Sequence, residues 1–277
     1  MGRYRIGLHR RLLAGLLLVA GMVITAQPAG AITGGQRDEG HTNVGVIRFT
    51  TESGRFRCSG TLVSPTVVLT AGHCTGDTGE SPATDVYVSF NTDLPLDPLA
   101  PGITPEERAA RAANYITGTA HPHPGWTGKL SLSKQHDQGV VLLDAPADSK
   151  WPGITPAPLL PVGTLDANQG ALKKETFTLV GYGVDIGEKK SQIVVPERRF
   201  TTSFLKTVQD EVVTFQINDR DSKAGGGSCF GDSGGPAFLG PYVVGDSSFV
   251  NSLQCNGTGG YQRVDTPYAK AFLDQFI

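Results

Sequence analysis

Cys229-Phe230-Gly231-Asp232-Ser233-Gly234-Gly235-Pro236 sets one serine among three glycines, an acid, a cysteine and a proline. Glycines on both sides of Ser233 let the backbone turn sharply and leave the hydroxyl accessible. They also let amide N–H groups converge on one point, as a developing oxyanion requires. The string fits G-x-S-x-G, but an α/β sheet built around such a turn needs its histidine after the serine. All six histidines (positions 9, 41, 73, 121, 123 and 136) precede Ser233. That order excludes the strand–turn–helix hydrolase architecture and sends the search for a base upstream.

Two upstream segments carry the complementary groups. Leu69-Thr70-Ala71-Gly72-His73-Cys74 runs a strand into a histidine beside a cysteine. His136-Asp137-Gln138-Gly139-Val140-Val141-Leu142-Leu143 sets an acid at the mouth of an apolar strand, where desolvation is costly unless something pairs with it. Alone, each has a structural reading: a hydrogen-bonded histidine, a strand-capping acid, a glycine-serine loop.

Composition fits an all-β domain. The chain has 277 residues, 39% of them hydrophobic, with 36 glycines and 18% charged residues. The apolar content rules out disorder, and glycine at nearly twice its usual share favours short strands joined by turns. The strand-like segments are Val44–Phe49, Gly60–Val63, Val67–Thr70, Val86–Phe90, Val140–Leu143, Thr176–Val180, Val212–Ile217, Pro236–Leu239 and Tyr242–Val244. Alternating strands and long helices are absent, which argues against a doubly wound sheet. Helices are expected from Thr104-Pro105-Glu106-Glu107 and over Pro267–Ile277. The proline-rich stretch 145–170 reads as a surface connection between two halves. No internal repeat of fixed period is found.

Residues 1–11 hold Arg3, Arg5, Arg10 and Arg11 and no acid, and Leu12–Ala26 is uncharged and mostly apolar. This is too short for a membrane span and reads as a secretory signal peptide over 1–31, with cleavage after Ala31 or, less well matched, after Ala26. Loss of 1–31 leaves 20 basic against 26 acidic residues, or −6. An acidic, exported protein follows, with no expected nucleic-acid partner and no membrane in the mature form. Cys58, Cys74, Cys229 and Cys255 suggest two disulfides in an oxidising compartment, with three pairings open, the sequence-local one closing two short loops. A zinc site lacks any C-x-x-C spacing.

Together, Thr70-Ala71-Gly72-His73-Cys74, the strand-leading Asp137 and Gly231-Asp232-Ser233-Gly234-Gly235-Pro236 resemble the chymotrypsin/trypsin family of serine endopeptidases. Ile32-Thr33-Gly34-Gly35, Cys58-Ser59-Gly60-Thr61-Leu62, His123-Pro124, Gly181-Tyr182-Gly183 and Arg263-Val264 extend the likeness over nearly all of 32–277. The resemblance implies two packed antiparallel six-stranded β-barrels, roughly 32–150 and 151–277, with a C-terminal helix. It implies His73 as general base and acid, Asp137 as its orienting partner and Ser233 as nucleophile. The N–H groups of Gly231 and Ser233 become the oxyanion hole. The substrate is a polypeptide, the state monomeric, and neither metal nor organic cofactor is needed.

By the same resemblance, Ile32 supplies a new amino terminus that pairs with Asp232. Cleavage directly after Ala31 would expose it in one cut, whereas cleavage after Ala26 leaves a five-residue propeptide. Gly227 and Ser228 fall at the base of the specificity pocket, Ser248, Phe249 and Val250 on one wall and Gly259 on the other. No acid stands at the base, so specificity for Arg or Lys is not expected; a small or medium apolar residue is. Gln138-Gly139 departs from the apolar-small pair that usually follows the acid. An inert binding protein on this scaffold and a secreted esterase are the competing readings. His121 and His123 are expected at the surface, Trp126 and Trp151 in packing roles, and Asn256-Gly257-Thr258 as an unglycosylated sequon.

Overall fold

The structure, a computed structural model, describes residues 32–131, 135–186, 192–218 and 225–277. The expected signal peptide lies outside them. Twelve strands form the body: β1 Val44–Thr51, β2 Gly54–Ser64, β3 Val67–Thr70, β4 Thr84–Ser89, β5 Ile116–Pro122 and β6 Gly139–Leu143, then β7 Thr176–Gly181, β8 Arg199–Val208, β9 Val212–Gln216, β10 Pro236–Leu239, β11 Tyr242–Val250 and β12 Thr258–Arg263. The first six close into an antiparallel barrel in the order β1-β2-β3-β6-β5-β4. The last six close in the order β7-β8-β9-β12-β11-β10. The two cyclic orders are the same, so one architecture occurs twice without a sequence repeat. The two-residue strand Gln36–Arg37 is the exception to the division: it pairs with β8 of the second barrel.

Each barrel fills with the apolar residues that alternate inward along its strands. Ile47, Phe49, Leu62, Val68, Val88 and Val141 are buried in the first. In the second, Phe215 packs between Phe177, tilted with ring centroids 4.9 Å apart, and Tyr261, edge-on at 5.2 Å. Burying such a side chain contributes roughly 1.5–3 kcal/mol. The halves are joined by Arg198, fully buried, whose guanidinium bonds Asp38 from the N-terminal segment, the carbonyls of Val44 and Phe90, and the Tyr182 hydroxyl.

Helix α1, Pro105–Ala112, forms where its cap predicts: the Glu107 N–H donates to Thr104 Oγ1 at 3.1 Å, and the Thr104 N–H donates to Glu107 Oε2 at 2.8 Å. The stretch 145–170 is not purely a connection. It holds a single turn at Ala147–Ser149 and most of α2, Thr164–Leu172, whose start behind Gly163, with φ 80°, has no side-chain cap to announce it. The C-terminal helix α3 covers Pro267–Leu273 rather than running to Ile277. Its Phe272 is buried, while Tyr268, four residues earlier and so on the same side of the helix, is 65% exposed.

Candidate active site

The register of β3 against β6 builds the first half of the site. Thr70 lies opposite Gly139, so the chain leaving β3 runs beside the chain entering β6. A single turn over Gly72–Cys74, tied to β2 by the Cys58–Cys74 disulfide, presents His73 to Asp137. The His73 backbone N–H donates to Asp137 Oδ1 at 2.8 Å, and its Nδ1 lies 2.9 Å from Asp137 Oδ2. Asp137 is wholly enclosed. Its carboxylate also accepts the Ser248 hydroxyl at 2.6 Å, and its own N–H donates to Gln262 Oε1 at 3.3 Å. Burial opposes charging of His73; the charge of Asp137 and its hydrogen bond outweigh that, and the imidazole pKa is raised.

The second half is the turn ahead of β10. Gly231 has φ 93° and Gly234 φ 76°, conformations that side-chain-bearing residues rarely adopt. A Cβ at Gly234 would also collide with Thr70 Oγ1 and the Ser59 carbonyl, so this turn sits directly on β2 and β3. The Ser59 N–H donates to the Ser233 carbonyl at 2.8 Å, and its hydroxyl to the Gly231 carbonyl at 3.1 Å. The N–H groups of Asp232, Gly234 and Gly235 are taken up by Cys229, Ser247 and Asp232 carbonyls. Among the described residues, those of Gly231 and Ser233 donate to no protein acceptor.

Ser233 stands between two cavities. One, about 240 Å³, is shared with His73, Gly231, Arg57, Phe49 and Phe56. The other, about 200 Å³, is walled by Ser248, Phe249, Val250, Phe230 and Leu130. Of the residues expected to bind substrate, Ser248, Phe249 and Val250 line this second cavity. Gly227, Ser228 and Gly259 do not; positions for a Cβ at Gly227 and Gly259 both meet the side chain of Ile217. Both disulfides follow the sequence-local pairing, Cys58–Cys74 and Cys229–Cys255.

Asp232 is buried, receiving the N–H groups of Gly183 at 2.7 Å and Cys229 at 2.8 Å. Burial pushes its pKa up to about 7 despite those bonds, and it makes no ion pair among the described residues. Ile32 is also fully buried, and Thr33 accepts the Gly227 N–H at 3.0 Å.

Several contributors were not visible in sequence. Ser248 is more than a pocket wall, because its hydroxyl goes to Asp137. Arg57 lines the cavity on the far side of Ser233, with no side-chain hydrogen bond or ion pair among the described residues. His121 and His123 are half-buried rather than superficial: His121 lies 5.1 Å from the ring of Phe276, and His123 stacks on His136 at 4.7 Å. The sole cluster of metal-ligand type among the described residues is Cys58, His73 and Cys74, whose sulfurs are joined to each other. Trp126 and Trp151 both pack with their indole N–H bonded, to Gly76 and Asn91.

Comparison with known proteins gives one family. The family model described as Trypsin matches residues 32–272. The chain is 26% identical over 223 residues to "CLIP domain-containing serine protease B10" of Anopheles gambiae, an alignment covering 76% of this chain and 59% of that protein. It is 24% identical over 255 residues to "Mast cell protease 8" of Mus musculus, covering 88% of each. Among solved structures, HL collagenase superposes with a TM-score of 0.61 at 18% identity, over 89% of this chain and 96% of that one. Human heparin binding protein gives 0.58 at 17%, with the same coverage.

Proposed function

The chain belongs to the trypsin family of serine proteases, and on that premise we propose that it is a secreted endopeptidase that cleaves polypeptides through Ser233, His73 and Asp137. The carrying observation is the union of three groups from distant parts of the chain: the His73–Asp137 pair and Ser233 on one cavity, with two undonated amides beside the serine.

A serine hydroxyl attacks an amide only with a base to take its proton. His73 takes that proton and later gives it to the leaving amine, while Asp137 fixes the tautomer and stabilises the imidazolium. The N–H groups of Gly231 and Ser233 bind the oxyanion, each donor worth about 3–4 kcal/mol in the transition state. No step asks for a metal or an organic cofactor.

The residue before the scissile bond enters the cavity walled by Phe249 and Val250. With no carboxylate in that wall and Val250 narrowing it, a small or medium apolar side chain is the proposed preference. Export through the 1–31 leader, with cleavage after Ala31, gives Ile32 as the first residue. Its ammonium then answers Asp232, a buried acid that makes no ion pair among the described residues and feels only the more distant charge of Arg57. Ile32 has φ 55°, a costly conformation for a β-branched residue. That dihedral is defined by the preceding carbonyl, so cleavage there removes the strain.

Fluorophosphonate labelling of the purified mature protein tests the reading. The label should attach at Ser233 and be lost in Ser233→Ala, with turnover of peptide amides falling by several orders of magnitude. A folded, unlabelled protein is the inert scaffold; labelling with ester but no amide turnover is the esterase. Gln27 as the first residue of the secreted protein would refute direct activation.

A further inference from the structure

Behind the Asp137 carboxylate lies a second buried acid. Asp246, on β11, is 1% exposed, opposite Pro236 on one side and Gln262 on the other. Gln138, also 1% exposed, donates from Nε2 to Asp246 Oδ1 at 3.3 Å. The two oxygens left over, Asp246 Oδ2 and Gln138 Oε1, are both buried and both without a partner. If Asp246 is ionised, each is an acceptor with no donor, a costly arrangement at the back of a catalytic site.

We propose that Asp246 is held as a neutral carboxylic acid whose Oδ2–H donates to Gln138 Oε1, closing an acid–amide pair that positions Asp137 and leaves it the single negative charge behind His73. One proton satisfies both orphaned oxygens at once. Gln138 stands directly after Asp137, and Ser248, two residues after Asp246, donates to Asp137. The pair therefore clamps the acid from its own chain and from β11. Gln138, where the family resemblance leads one to expect an apolar residue, has in Asp246 a partner from another strand. The assignment rests on the proposed triad.

The surroundings favour the neutral form. Asp137 faces Asp246 from the segment before β6, while Gln262 from β12 and Ser248 from β11 are uncharged. Other ionisable groups are engaged elsewhere: Arg263 with Asp265 and Asp166, and Glu211 with His136. Burial and the charge of Asp137 raise the Asp246 pKa well above the usual carboxylate range.

Infrared difference spectroscopy of the mature protein against Asp246→Asn, at about pH 7, tests this without reference to turnover. The wild type should show a protonated-carboxyl C=O band that moves in D2O and is missing in the variant; no such band overturns the proposal. Gln138→Leu is the second variant. It removes the acceptor and should shift the band to higher frequency, and an unmoved band overturns the pairing. In kcat/KM against pH, the acid limb of Asp246→Asn should stay within about 0.2 pH unit of wild type. A downward move of the acid limb by roughly one pH unit would mean that a second anion had been removed, and would refute the neutral acid. If the band is present in a protein that cleaves nothing, the peptidase reading fails and the acid–amide pair stands.

Discussion

The Ser248 hydroxyl donates to Asp137 Oδ2 at 2.6 Å, and that same oxygen lies 2.9 Å from His73 Nδ1. One residue of the cavity wall thus sets the charge distribution of the acid that, in the proposed triad, orients His73. Removing the donor in Ser248→Ala leaves more charge on the side facing the imidazole. The expected result is about a tenfold loss of kcat/KM, ~1.4 kcal/mol, from looser positioning of Asp137. His73, whose pKa is already raised, should rise further, so the acid limb should move to higher pH. A variant with normal turnover and an unmoved acid limb would show the bond to be incidental.

The strands legible in sequence were those with continuous apolar runs, such as Val67–Thr70 and Pro236–Leu239. Ile116–Pro122, Arg199–Val208 and Thr258–Arg263 escaped for a common reason. Beside the core residues Ile116, Leu205 and Tyr261, their inward positions carry Gly118 and Ala120, Thr201 and Ser203, and Gly259 and Arg263, small residues or polar ones whose burial is made tolerable by partners elsewhere. Ser203, for example, donates to the Gln216 carbonyl. Hydrophobic periodicity cannot register such positions. His73, Asp137 and Ser233, the proposed triad, stood out because each sits in a local string of unusual composition. The bond from Ser248 to Asp137, and the places of Arg57 and Asp246, were not, because they lie in contacts across strands that no local string encodes.

Asp232 ties stability to processing. Its pKa of about 7 in the chain continuous with residue 31 lies above that of an unfolded aspartate, near 3.9. The folded state therefore holds a proton that the unfolded state has released, and stability falls as pH rises through that window. For Ser233→Ala carrying residues 1–31, urea unfolding should lose up to roughly 4 kcal/mol between about pH 4 and pH 7. On the proposed pairing, an Ile32 ammonium freed by cleavage after Ala31 should lower the Asp232 pKa, and in that chain this loss should be absent. Equal slopes for the two forms would mean that the amine and the acid do not meet.

Val250 narrows the cavity beside Ser233 that is also lined by Phe249, Phe230 and Leu130. Val250→Gly removes three carbons from that wall without disturbing the bond between Ser248 and Asp137. Peptides with Phe or Tyr before the scissile bond should gain about 10- to 100-fold in kcat/KM relative to those with Ala or Val. A peptide library read on both forms decides, and an unchanged profile would move the preference elsewhere.

Arg57 addresses the other side of the cut. It lines the cavity shared by His73 and Ser233, and burial followed by the nearby charge of Arg48 lowers its pKa. A guanidinium stays protonated at neutral pH all the same. Arg48 has Asp97 at 3.4 Å, and Arg55 donates to the Leu99 carbonyl at 2.6 Å, but Arg57 has no such partner among the described residues. Asp77, the acid on the same cavity, is engaged by the hydroxyls of Thr51 and Ser53, both at 3.1 Å. A half-buried cation beside the proposed nucleophile, within the field of Asp232 and Asp97 but bonded to neither, favours an anion in the leaving segment. Substrates with Asp or Glu after the scissile bond should therefore be cleaved about tenfold faster than those with Lys, more so at low salt. Arg57→Gln should abolish that preference through KM while leaving the acid limb where it was, because the residue makes no bond to His73 or Asp137. If the profile stays acidic in Arg57→Gln, the selecting charge belongs to another residue.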